Sequence, residues 1–127
     1  MSRLFWVCLG GAAGTGARYL VSGWAVAILG TGFPWGTLVV NLVGSFLIGG
    51  IMHVGLTTQL LSPAVRIALT SGVLGGFTTY SAFNYESLKY LQDGAWLMGL
   101  LSVAVMVVSC LTAGAAGLGI ARLLVGH

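Results

Sequence analysis

Three long stretches of this chain carry no Asp, Glu, Lys or Arg: Tyr19 to Val65, Ile67 to Tyr85, and Gly94 to Ala121. A water-soluble fold covers its outside with charged side chains, about a quarter of all residues. Here only 6% of 127 residues are charged and 57% are hydrophobic. The lipid bilayer is the solvent that suits such a sequence. A helix crossing it needs about 20 mostly apolar residues, so the chain has room for about four or five spans and none for a soluble domain.

Breakers divide the apolar sequence into four spans. The first is expected over about Leu4 to Leu29 and ends in Gly30-Thr31-Gly32-Phe33-Pro34. Trp35 opens the second, at the depth where indole rings anchor in the interface, and that span runs to about Leu56. Thr57-Thr58-Gln59 and Ser62-Pro63 make the next loop, with Pro63 suited to a first helical turn. The third span covers about Ala64 to Leu91 and the fourth about Ala95 to Leu124, joined by Gln92-Asp93-Gly94. The middle of the third reads Gly75-Gly76-Phe77-Thr78-Thr79, poor material for a continuous helix, and predicts a break at mid-membrane. Residues 1–127 therefore read as one all-α integral membrane domain.

The net charge of +3 comes from scattered basic residues and makes no nucleic-acid surface. Arg3, Arg66 and Arg122 fall on the side of the termini; Lys89 falls on the other, with Arg18 near the end of the first span. The positive-inside rule weakly favours cytoplasmic termini, and a bias this small permits insertion both ways. The apolar stretch after Arg3 runs on as a full span, unlike a signal peptide. Cys8 and Cys110 sit in apolar runs and read as buried thiols. Gly10 and Gly14, Gly72 and Gly76, and Ala113 and Gly117 are each four apart, which lets helices approach closely, a partner subunit included.

Polar groups at membrane depth need a partner or a purpose. Thr37, Asn41 and Ser45 share one face of the second span, either as interhelical glue or as a pore lining. Broken backbone at this depth is tolerated only where it is buried in protein or faces an aqueous cavity. A break near Gly75 to Thr79 would free carbonyl oxygens, which suit a cation, and N–H groups at the start of the next half-helix. Tyr80, Phe83 and Glu86 then follow at three-residue spacing on one face. The rings fit ordinary packing or a pathway, and Glu86 fits either a snorkelling partner of Lys89 or a functional acid. His53 is isolated and reads as a polar or interfacial residue. No Ser/His/Asp set, CxxC pair or nucleotide-binding loop is present, so the chain does not read as an enzyme.

These residues resemble the Fluc, or CrcB-type, family of fluoride channels over nearly the whole chain. The resemblance lies in Gly10-Gly11 with Gly14 and Arg18, in Gly36-Thr37-Leu38 with Asn41-Leu42, and above all in the run from Thr70 to Phe83 with Glu86 beyond. It implies an antiparallel homodimer of four-span subunits in the bacterial plasma membrane, with fluoride pores and a structural sodium ion at the dimer centre. Carried onto this chain, the sodium ligands are the backbone carbonyls of Gly75 and Thr78. The fluoride path takes the Asn41 amide, the ring edges of Tyr80 and Phe83, and a polar track with Thr37, Ser81 and, beyond them, Glu86. Tyr80 stands where the family has phenylalanine and Ala82 where it has threonine; Ser109-Cys110 and Gly114 replace the familiar Gly-Ser and later Thr. The rival is a small multidrug exporter of similar size. Such exporters depend on an acid in the first span, where this chain has Arg18 and no acid.

Overall fold

A computed structural model describes residues 2–127, all-helical in their regular structure. Four helical runs follow the four apolar stretches. They are α1 (Ser2–Leu29), α2 (Trp35–Thr57), a segmented third run, and α6 (Trp96–Val125). The third run comprises α3 (Pro63–Ile67), a π-helix over Ala68–Leu74, α4 (Gly75–Phe77) and α5 (Tyr80–Gln92). Gly30 and Gly94 follow α1 and α5 with φ of 86° and 78°, the left-handed stop that side chains with a Cβ resist. Ser62 Oγ accepts the Val65 N–H ahead of Pro63, so α3 begins as its sequence predicts.

The break is narrower than the sequence suggests. Gly75 and Gly76 stay helical, and only Thr78 and Thr79 are extended. The glycines serve close approach: a Cβ on Gly76 would lie 2.5 Å from the Gly11 carbonyl oxygen of α1. The threonines make the break. Thr78 N–H and Oγ1 both turn back to the Leu74 carbonyl, each at 2.9 Å. Thr79 Oγ1 then accepts the Ala82 N–H at 3.2 Å and caps α5.

Helix packing uses the small residues inside the subunit. α1 lies on the π-helix and α4, and α2 lies on α6. A Cβ on Gly14 would stand 2.0 Å from the Val73 carbonyl oxygen, and one on Gly117 equally close to that of Phe46. Such approach supplies dispersion contacts between helices, which lipid cannot replace by hydrophobic exclusion. The side of α1 that Gly10 and Gly14 occupy is therefore already filled by the chain's own third run.

The outside is apolar. Leu4, Trp24, Ile28, Leu97 and Leu123 are all more than half exposed, while the buried core centres on Leu38, Phe83 and Met106. Two helices, α2 and α6, are long and apolar enough by length and composition to cross a membrane. Both cysteines are free; Cys110 is half-buried but Cys8 is exposed, against the expectation of burial. In a chain whose outer surface is also apolar, an apolar run does not tell inside from outside.

Candidate functional site

Asn41 projects from α2 onto the break. Its Nδ2 donates to the Thr79 carbonyl and its Oδ1 accepts the Thr79 N–H, both at 2.8 Å. The second amide proton faces Met106 Sδ at 3.6 Å. The side chain thus acts as a surrogate peptide group that holds both backbone poles of Thr79. Of the two readings of the Thr37–Asn41–Ser45 stripe, glue or pore lining, interhelical bonding is present at Asn41, chiefly to the backbone of Thr79.

This clamp has a consequence for the carbonyls. An unbroken helix would send the Thr79 N–H to the Gly75 carbonyl and the Ala82 N–H to that of Thr78. The first goes to Asn41 and the second to Thr79 Oγ1. Gly75 and Thr78 lose their helical donors together, and both line a cavity of about 480 Å3. Asn41, Ser45, Tyr80 and Phe83 line the same cavity.

The two rings meet edge to face, with centroids 5.7 Å apart and planes at 69°. Phe83 is 8% exposed and packs with Leu38 and Met106, whereas Tyr80 is 76% exposed. Phe83 is thus both core and cavity wall, and Tyr80 stands on the open side of the cavity.

Thr37 and Glu86 form a second centre one turn back along α2. Thr37 Oγ1 donates to Glu86 Oε1 at 2.7 Å, while the buried Oε2 has no hydrogen-bond partner. Glu86 lines a separate cavity of about 300 Å3 with Lys89 and Asp93. Buried Ser87 and Ser102 also lack partners for their hydroxyls. Ser81 is exposed, with its Oγ 3.4 Å from Thr79 Oγ1, and lines neither cavity. The site residues read from sequence therefore divide. Asn41, Tyr80, Phe83, Gly75 and Thr78 come together; Thr37 pairs with Glu86; Ser81 stands apart.

Several roles, at the site and beyond it, escape sequence reading. Arg18 Nε donates to the Gly76 carbonyl at 3.0 Å, which gives a charged group at helix depth a partner beside the break. Met106 and Cys110 line the larger cavity although they look like ordinary apolar residues of α6. Thr79 is the hinge of the arrangement; its place after the glycine pair was the available signal. His53 Nε2 lies 2.7 Å from the Gly126 carbonyl and ties the end of α2 to the chain terminus.

The family described as "CrcB-like protein, Camphor Resistance (CrcB)" matches residues 5–118. A "Fluoride-specific ion channel FluC" of Sorangium cellulosum (strain So ce56) is 50% identical over 125 residues, covering 98% of each chain. A protein of the same description from Anaeromyxobacter sp. (strain K) is 48% identical over 126 residues, 99% of this chain and 100% of its own. Another, from Geobacter sulfurreducens, is 47% identical over 122 residues, 96% of this chain and 98% of its own. On matches of this length the chain belongs to the CrcB family.

Proposed function

We propose that this chain is one subunit of a fluoride-selective channel that lets cytoplasmic fluoride leave the cell passively. The observation that carries the reading is the cavity where Asn41, Tyr80 and Phe83 meet the broken helix. Fluoride is small and strongly hydrated, so a pore must replace its water with donors. Aromatic edges carry partial positive charge and face an anion without the tight hold of a fixed cation. The exposed Tyr80 phenol adds a donor along the route. A negative-inside potential favours anion exit by about 2.3 kcal/mol per 100 mV, so transport needs no nucleotide. The function is transport and not catalysis.

The subunit has four spans, the third broken, and pairs antiparallel with a second copy in the bacterial plasma membrane. The chain carries few positive charges, and the weak bias they make between its two sides permits insertion in both orientations. The exporter reading has no support in α1, which carries Arg18 bonded to backbone and no acid. Reconstitution into liposomes, with fluoride and chloride efflux compared, tests the function. Rapid fluoride efflux with no chloride efflux is expected; equal passage of both ions would end the reading.

A structural sodium ion at the subunit interface fits the Gly75 and Thr78 carbonyls. They are neutral hard oxygens without helical donors, on a cavity wall where hydrocarbon could not satisfy them. Such an ion would supply a fixed positive charge near the anion routes and join the two copies. Replacing sodium by a large organic cation throughout purification is expected to abolish efflux or split the dimer. Full activity after prolonged exchange would remove the site.

A further inference from the structure

We propose that Met106 and Cys110 form a two-sulfur site for a soft monovalent cation of the Ag(I) or Cu(I) class, and that filling it closes the cavity beside Asn41. The two residues stand one turn apart on α6, and both line the cavity of about 480 Å3. The Cys110 thiol points at Met106 Sδ across 3.8 Å. Met106 is 5% exposed, and its sulfur also faces the Asn41 amide at 3.6 Å, so the thioether is held in place. Closure rests on the channel reading above; binding does not.

The chemistry follows from where the thiol proton lies, between the two sulfurs. A soft cation replaces it: Cys110 S–H plus Ag+ gives S–Ag plus H+, which leaves to water. No electrons are transferred, and a Met106 lone pair completes the coordination. Thiolate and thioether are the donors that soft ions prefer. The thiolate cancels the cation's charge, so the filled site carries no net charge into an apolar wall. Asn41 Oδ1 is engaged with the Thr79 N–H, and the free Gly75 and Thr78 carbonyls of the same cavity are hard oxygens, which a soft cation prefers less than sulfur. Fluoride, a hard anion, does not compete for the ion. The metal therefore narrows the cavity between Asn41 and Phe83 instead of serving as an anion relay.

The test uses the full-length protein with Cys8→Ser, so that Cys110 is the sole thiol. Silver binding is measured by metal analysis after equilibrium dialysis, and fluoride efflux from liposomes is measured in nitrate medium. We expect one silver ion per chain and block of efflux. Cys110→Ser is expected to lose both. Met106→Leu keeps the thiol but is expected to bind silver about tenfold or more weaker, since even partners outside a ligand set contribute that much. Unchanged affinity in Met106→Leu would overturn the sulfur pair. Binding that persists in Cys110→Ser would show an adventitious ion only, and binding without block would overturn closure. Silver bound to a protein that passes no fluoride would sink the channel reading and still uphold the site.

Discussion

Asn41→Asp is expected to abolish measurable fluoride efflux. Aspartate keeps the oxygen that accepts the Thr79 N–H but loses the donor to the Thr79 carbonyl. Leaving that carbonyl unpaired costs about 1–3 kcal/mol. The larger effect is electrostatic. Two unit negative charges 4 Å apart repel by about 4 kcal/mol at an effective dielectric of 20. At 1.36 kcal/mol per tenfold, that repulsion slows passage by about three orders of magnitude. Efflux is measured beside a size-exclusion profile, with Asn41→Leu as companion. The companion removes the clamp without adding charge, so it reports on folding. Parent-like efflux in an assembled Asn41→Asp protein would leave Asn41 as a helix clamp and nothing more.

Phe83→Ile is expected to block fluoride while assembly survives. The ring lies against Leu38 and Met106 at 8% exposure and also faces the cavity, so packing and pathway meet in one side chain. An apolar replacement of this kind costs less than about 1.5 kcal/mol where a core can repack, too little to dissolve the subunit. What isoleucine cannot supply is the polarised ring edge. Normal flux in an assembled Phe83→Ile protein would make the ring packing only. Tyr80→Phe provides the contrast. Tyr80 is 76% exposed and its ring meets Phe83 edge-on, so removing the phenol hydroxyl disturbs no core. Efflux at or above the parent rate is expected. A dead Tyr80→Phe would place the hydroxyl among this channel's donors.

The two variants probe opposite sides of one arrangement. Asn41 holds the break open from α2, while Phe83 and Tyr80 begin the helix that leaves it. Arg18 secures the other side of the break through the Gly76 carbonyl. Two helical runs, α1 and α2, thus converge on four residues of the third run's backbone, Gly76 to Thr79. Substitutions that strike Thr79 or its partners should therefore act on cavity shape as well as on the residue replaced.

By itself the sequence determined the medium and the number of helical runs. Charge-free stretches of this length admit few alternatives, because hydrocarbon tolerates only backbone that satisfies itself. It also located the interrupted third run, and Asn41 as a polar group needing a partner. Tertiary structure alone decided the rest. Gly75-Gly76 read as a breaker, yet the pair is helical; whether a glycine ends a helix or admits a neighbour depends on what lies opposite, here α1. Cys8 and Cys110 looked alike, yet one faces outward and the other lines a cavity, because apolar residues cover both surfaces of a membrane helix. The diversion of the Thr79 N–H away from Gly75 could not be read from any local pattern. It depends on Asn41 reaching Thr79 across 38 residues of chain, and only the packing of α2 against the broken run sets that distance.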